Sequence, residues 1–486
     1  MRDLFSILRR GFSLPLLFLL PTCSSAQGSG WTTPLRINLD TLYKVASPAL
    51  AVNRAGDIFV VWQHFTERPD NIKARLYFAS YDGHSWSKEK PITDTNGTAW
   101  SPDVAVDTTG LPHVVWGEYA TSEIYHQWFD GSKWVGPENI SQDSGSSFYP
   151  RIAIDLANRI HVVWHDDTPG DWTIFYREFD GTKWSSLIAL SDSLSTAGFP
   201  SIAVGVEGNA HVVFDAFTAS PNDYDVFYRR NAAGAWSDLV QITNDPKESE
   251  YPDIGLKPDG TPVVIWEQVV RYDTLGPITI WAYFSSFDGS VWTNGSAIAD
   301  TSQAFDPRIA IDSKGMIHTV WGVQDQLMHT THVLYSWRGS GGWSAPVSIS
   351  NSIPNPASGV IKVDSAGVCH VVYVGAANGV YYTKQIVADG VALGGTNMTP
   401  TLILKQNYPN PFNPTTTIRY ALPKRSQVTL IVFNTLGQQI ATLVNAEQEA
   451  GYHDVWFDGR GLASGVYLYR LKAGEYLATK KFLLIR

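Results

Sequence analysis

Cysteine is almost missing from this 486-residue chain, which has only Cys23 and Cys369. If the first leaves with a processed N-terminus, one thiol remains and no internal disulfide can form, so packing alone must hold the fold. Charge is sparse as well. Asp, Glu, Lys and Arg make up 17% of residues and the net charge is −10. No basic tract or basic amphipathic stretch occurs, so nucleic acid is not expected as a partner. There is no Gly-x-Ser-x-Gly elbow, no phosphate-binding glycine loop, and no Cys, His or carboxylate spacing suited to a metal. The chain is therefore expected to use no metal and no cofactor. Beyond residue 26 no apolar run is long enough to span a bilayer.

What is abundant is a repeat. The stretch Pro150 to Ser191 recurs with a period of about 50 residues from near the N-terminus to about residue 386, the signature of propeller blades rather than of one large sheet. Within it, Ile152 to Asp155 and His161 to Trp164 read as buried strands a and b, and Thr173 to Phe179 alternates as strand c. Asp180-Gly181 supplies a tight turn and Trp184 to Leu190 gives strand d. The aromatic that ends strand b marks each copy: Trp62, Trp116, Trp164, Phe214, Trp266, Trp321 and Tyr373. Seven landmarks predict seven blades. The seventh copy has strands a to c (Ile361 to Asp364, His370 to Tyr373, Val380 to Ile386) but no strand d. Gly30-Trp31-Thr32-Thr33-Pro34-Leu35 resembles Gly342-Trp343-Ser344-Ala345-Pro346-Val347, a strand d inside the array. The expectation is an all-β, seven-bladed β-propeller over residues 27–386 whose N-terminal strand completes the last blade and covers its open edge.

Residues 1–26 join Arg2, Arg9 and Arg10 to an apolar run, Phe12 to Leu20, and to Ser24-Ser25-Ala26, and read as a cleaved secretory signal. A lipid-modified Cys23 is the alternative. Residues 387–403 turn small and Gly-rich and read as a linker. From 404 to 486, short strand runs at Thr416 to Tyr420, Gln427 to Asn434, Gln439 to Leu443, His453 to Phe457, Gly465 to Leu471 and Glu475 to Ile485 predict a small β-sandwich. The Asn407 to Pro414 string before them, with Pro409, Pro411 and Pro414, cannot be helix or central strand. Asn407 to Pro411, Gly465-Val466-Tyr467 and the ending Lys480 to Arg486 resemble the C-terminal sorting domain of type IX secretion cargo. The resemblance implies export to the cell surface or beyond, with the type IX machinery as partner and removal of the domain on the way. Two alternatives remain: an Ig-like module that stays attached as a spacer, and a β-sandwich with no sorting role.

The antiparallel order of strands puts hairpins a–b and c–d on one face, connections b–c and d–a on the other. The step from the end of strand a to the landmark is 9 in every copy, whereas landmark to strand-c Tyr takes 15, 9, 12, 14, 17, 14 and 9 residues. Variable loops on a fixed scaffold are where binding groups sit. Just beyond strand b on that face stand Gln63, Glu118, His165, Asp166, Asp215, Glu267 and Gln324. Aromatics join them: Trp100, Tyr149, Phe199, Tyr251 and Phe305 before strand a, and Trp172, Tyr224 and Tyr272 in the b–c loops. Carboxylates beside flat aromatic faces suit polyhydroxyl ligands. Polar strand ends and inter-blade packing would place the same residue types there. The recurring His113, His161, His211, His318 and His370 open strand b at equal positions, so a structural hydrogen-bonding role is expected of them.

The Asp-Gly turns before a Trp, at Asp82, Asp130, Asp180 and Asp288, loosely resemble sialidase-type propellers. They lack that family's Asp-box, and its arginine triad is met only by Arg151 and Arg308 in one shared slot, so the resemblance assigns no catalytic residue. Glycosidase chemistry needs two carboxylates about 5–10 Å apart, for which Glu118, Asp166 and Asp215 are the candidates. Three readings stand: a secreted or cell-surface module binding a carbohydrate or protein through the b–c face, a glycan-degrading hydrolase or lyase, and an interaction scaffold with no small-molecule site.

Overall fold

The computed structural model describes residues 30–65, 73–94, 97–142, 144–191, 193–218, 223–232, 234–244, 247–271, 278–299, 303–324, 330–339, 342–350, 353–386, 403–404, 407, 410–422, 425–448, 451–474 and 476–485. The expected signal segment, nearly all of the expected linker, Cys23 and Tyr272 lie outside the described residues. Two compact units divide the chain, Ser29–Thr396 and one that takes in Asn397–Arg486.

All described regular structure is β. In the larger unit seven antiparallel sheets each take their strands in the order a, b, c, d. The third holds Ser147–Ile154, Ile160–Asp166, Thr173–Phe179 and Ile188–Ala189. The last holds Ala357–Val363, Cys369–Gly375 and Gly379–Lys384, and its fourth strand is Leu35–Arg36 from the start of the chain. Leu35 pairs with Tyr382 and Arg36 with Tyr381, while Trp31 bridges Gln385. The N-terminal segment thus takes the edge that the seventh copy leaves open.

The landmark aromatics are core. Trp62, Trp164, Trp321, Phe214 and Tyr373 are fully buried, and Trp116 and Trp266 nearly so. They lie inside strand b, not at its end, because strand b runs one or more residues past each. A second set of aromatics joins neighbouring sheets, each strand c offering a ring to the strand-d tryptophan of the following sheet. Phe78 meets Trp134 at 5.2 Å, His126 meets Trp184 at 5.6 Å and Tyr176 meets Trp236 at 4.9 Å. Tyr228–Trp292 and Phe284–Trp343 follow at 5.1 Å each. Tyr335 then meets Trp31 at 4.8 Å and Tyr382 meets Trp86 at 5.1 Å, which returns the series to the first sheet. All seven pairs are edge-on, the arrangement the ring quadrupoles favour.

Strand d is shorter than expected. Trp184 makes only an isolated bridge to Phe179, and pairing resumes at Ile188. In between, the Arg177 guanidinium donates to the Ser185 carbonyl (2.7 Å) and so occupies a backbone group that a continuous ladder would use.

The recurring histidines are tied down within their own sheets. Nδ1 of His161, His211 and His318 shares a 2.7 Å hydrogen bond with the hydroxyl of Tyr176, Tyr228 and Tyr335, and His370 does so with Tyr382 at 2.8 Å. His113 instead meets His126 at 3.1 Å. Nε2 of His161, His318 and His370 faces the carboxylate of Asp155, Asp312 and Asp364 at 3.2–3.7 Å. Burial outweighs those carboxylates at His161 and lowers its pKa, and it takes His126 to about 3 and His211 to about 4. The Asp-Gly turns are local as well. In the turn after strand c, the Thr182 hydroxyl and the Lys183 and Thr182 amides donate to Asp180 and hold it at about 2.

The smaller unit has two sheets, one of Ile403–Leu404, Thr415–Leu422 and Gly451–Asp458, the other of Gln439–Gln448, Ser426–Phe433, Gly465–Ala473 and Tyr476–Leu484. Ile418, Tyr420 and Phe457 from the first meet Leu430, Tyr469 and Phe482 from the second in one core. The asparagines of the proline string act as clips. Asn407 donates from its amide to the Tyr469 hydroxyl and from Nδ2 to Thr416, while Asn410 Oδ1 accepts the Leu483 amide. Phe412, 1% exposed, fills the core between them.

Candidate functional site

Strand a is longer than the sequence implies because it carries a β-bulge. Register slips between Ala46 and Ala49, Trp100 and Asp103, Phe148 and Arg151, Gly198 and Ser201, Glu250 and Asp253, Phe305 and Arg308, and Ala357 and Val360. In the first six the bulge residue precedes a proline and has positive φ: Ser47, Ser101, Tyr149, Phe199, Tyr251 and Asp306, between 45° and 53°. Such backbone is costly for a residue with a Cβ, and bulges re-aim side chains. Proline inside a strand is tolerated chiefly at edges and bulges, so Pro48, Pro102, Pro150, Pro200, Pro252 and Pro307 at one repeat position were the available signal.

Three of the re-aimed side chains are aromatic and consecutive. Tyr149 and Phe199 have ring centroids 5.0 Å apart, and Phe199 and Tyr251 4.3 Å apart. His165 packs on Tyr149 at 5.1 Å, on Phe199 at 5.9 Å and on Trp172 at 4.7 Å. The structure thus brings His165, Trp172, Tyr149, Phe199 and Tyr251 together. Trp100 and Phe305 stand one residue before the bulge, opposite Gly117 and Gly322, and are separate from this arc. Tyr224 packs edge-on against Phe217 of its own sheet.

The polar residues placed beyond strand b lie within it, so alternation sorts them. His165, Asp215 and Glu267 pair with Phe148, Gly198 and Glu250, whereas Glu118 and Asp166 pair with Ala99 and Ser147, one step further on. Asp166 and Asp215 therefore leave their sheets on opposite sides. Glu118 Oε1 accepts from the Thr98 amide (2.5 Å) and hydroxyl (2.6 Å). Asp166 accepts from the Ser147 hydroxyl (2.5 Å) and the Thr168 amide (2.7 Å). Asp215 and Glu267 instead reach the following sheet, where Asp215 Oδ2 accepts the Tyr251 amide (2.9 Å) and Glu267 Oε1 the Asp306 amide (2.6 Å). These two carboxyls hold the strained bulges in place. Burial, with Asp306 and Glu250 nearby, pushes Glu267 well above the usual carboxyl range. Burial and Glu250 likewise raise Tyr251.

Two residues past the bulge the slot alternates in charge: Asp103, Arg151, Ser201, Asp253, Arg308. Asp103 Oδ2 accepts the Ile152 amide (3.0 Å) and Asp253 Oδ2 the Ile309 amide (2.9 Å), each on the next sheet, and Ser201 donates to Asp253 Oδ1 (2.6 Å). The pKa of Arg151 is lowered by burial and then by Arg308, three sheets away, which places both guanidinium groups in one central cluster. No group of three or more His, Cys, Asp and Glu residues able to hold a metal occurs among the described residues.

Residues 406–485 match the family of secretion system C-terminal sorting domains. Among solved structures, a Dyadobacter fermentans protein of unknown function is 12% identical over 74% of this chain and 100% of its own, with a TM-score of 0.46. An ulvan lyase from a new polysaccharide lyase family, solved with a GlcA(1-4)Rha3S unit bound, is 14% identical over 72% and 95%, with a TM-score of 0.50. PorZ, a surface component of the type IX secretion system of Porphyromonas gingivalis, is 13% identical over 90% of this chain and 59% of its own, at 0.42. No curated protein matches the chain. At these identities the lyase likeness shows a propeller-like fold alone.

Proposed function

Because residues 406–485 are a C-terminal sorting domain of type IX secretion cargo, which makes the chain a secreted or cell-surface protein, we propose that the larger unit is the exported cargo, a seven-bladed β-propeller that binds a carbohydrate through the face bearing its b–c connections. On this reading residues 1–26 are a signal peptide, 27–386 the propeller closed by its N-terminal strand, 387–403 a linker and 404–486 an Ig-like sandwich that engages the secretion machinery.

The observation that carries the binding role is the arc of Tyr149, Phe199 and Tyr251, re-aimed by strained bulges and backed by His165 and Trp172. Strain repeated at one strand position is retained where the surrounding structure over-determines it, as at ligand clamps. Flat rings beside hydrogen-bonding groups suit the C–H faces and hydroxyls of a sugar. Glu118, Asp166, Asp215, Glu267, Tyr224 and Tyr272 remain ligand-contact candidates of the same face.

A glycan-degrading enzyme is the second reading, favoured by one observation: Glu267, whose carboxyl burial pushes well above the usual range, sits beside Asp306. Such a pair supplies the proton donor that glycosidic cleavage needs. Glu118, Asp166 and Asp215 are weaker candidates for such a role, because each is already hydrogen-bonded within the protein and Asp166 and Asp215 are buried. Incubation with a polysaccharide panel, scored both for retention on the polymer and for new reducing or unsaturated ends, separates the readings. Retention without products supports the binding module, products that vanish in Glu267→Gln support the enzyme, and neither result favours a protein partner or a scaffold.

A further inference from the structure

The central cluster contains donors that the protein itself leaves unused. Both oxygens of Asp103 and of Asp253 are already engaged, Asp103 by the Val104 and Ile152 amides and Asp253 by the Ser201 hydroxyl and the Ile309 amide. Glu267, 4% exposed, gives Oε1 to the Asp306 amide, and its Oε2 has no partner among the described residues. The guanidinium groups behave differently. Arg151 makes a single hydrogen bond, to its own Pro150 carbonyl (3.2 Å), and Arg308 makes no hydrogen bond or ion pair among the described residues. A guanidinium carries five N–H donors in a planar fork matched to carboxylate and sulfate oxygens, and a half-buried one without partners is costly. Both stand two residues past a bulge, Arg151 on the strand that carries Tyr149 of the arc and Arg308 on the strand of Asp306, whose amide Glu267 holds.

We infer that this cluster selects an acidic saccharide, with the carboxylate or sulfate of a sugar on Arg308 and Arg151, its ring against Tyr149, Phe199 and Tyr251, and a sugar hydroxyl hydrogen-bonded to Glu267 Oε2. The inference rests on the carbohydrate-binding reading and specifies the ligand's charge. Binding requires no covalent step.

Calorimetric titration of the full chain with trigalacturonate, its carboxyl-reduced neutral counterpart and a sulfated neutral trisaccharide provides the test. Either anionic probe should bind at least about tenfold more tightly than the neutral one, since a charge-assisted bidentate pair is worth that much, and the two anionic arms tell carboxylate from sulfate. R308Q should lose about tenfold or more for the anionic probe, a larger factor than for the neutral probe, with the thermal midpoint unchanged because no internal hydrogen bond is removed. Equal affinity for charged and neutral probes, or unchanged anion binding in R308Q, overturns the inference and leaves carbohydrate binding standing. No binding of any saccharide overturns both. A thermal midpoint that drops in R308Q assigns the arginine to the scaffold and also overturns it.

Discussion

Replacing Trp31 by Ala asks whether the N-terminal segment is a working part of the larger unit or a passenger. Trp31 is 6% exposed, lies in one core cluster with Tyr335, Val371 and Tyr373, and is the edge-on partner of Tyr335 at 4.8 Å. Its segment is held by backbone bonds from Thr32 to Lys384 and from Ile37 to Val380, both 2.9 Å. Asn38 locks it further, accepting the Val380 amide and donating to the Asn378 carbonyl, each at 2.8 Å. Removing a buried Trp costs about 3–5 kcal/mol through lost transfer energy and the cavity left behind. Trp236→Ala removes the equivalent ring from an internal, half-buried position, so Trp31→Ala should cost at least as much. Guanidinium unfolding followed by far-UV circular dichroism compares both variants with the parent, and the change in midpoint at constant slope gives the difference. A loss below about 1 kcal/mol for Trp31→Ala, with a full loss for Trp236→Ala, would refute closure by the N-terminal strand.

Acid should destabilise the larger unit well before the carboxylates titrate. His126 and His211 are buried with pKa values depressed to about 3 and 4. Their contribution is therefore complete above the unfolded value of about 6.5 and is lost as pH falls toward the folded values. Between pH 7 and 5 each should cost about 2 kcal/mol, and an unfolding free energy that stays flat over that range contradicts the burial. Cys369 is fully buried and burial pushes its thiol up, so it should resist iodoacetamide in the native protein and react once unfolded. Rapid native labelling, judged by mass spectrometry, would show that its strand opens. Asp215→Ala strands the Tyr251 amide and should cost about 1–3 kcal/mol, with thermal melting as the check. Deleting residues 404–486 should leave the larger unit folded yet trapped inside the producing cell, and normal appearance in the medium would count against the sorting role.

Much of the fold was legible because it repeats. One copy of strand b predicts all seven landmarks, and the likeness of Gly30 to Leu35 to an internal strand d marks the segment that pairs with the last sheet. Periodicity did not show the bulges, which turn a residue before proline into a member of the aromatic arc. Position just beyond strand b groups the candidate carboxylates together, although what decides direction is parity from the landmark. Glu118 and Asp166 stand two residues past theirs and Asp215 and Glu267 one past theirs, so the first pair and the second leave the sheet on opposite sides. The repeat slot shared by Arg151 and Arg308 is visible in the sequence. Their meeting at the centre depends on two intervening sheets turning the chain, which no local pattern records.

The central claim is that an exported protein grips sugar with a strained aromatic arc. It is tested most directly by affinity electrophoresis of the parent and the Tyr149→Ala/Phe199→Ala double variant through gels containing a panel of polysaccharides. Retardation of the parent by at least one polymer, lost in a double variant that still melts cooperatively, is the predicted result. Free migration of the parent through every gel, or equal retardation of the two proteins, would contradict it.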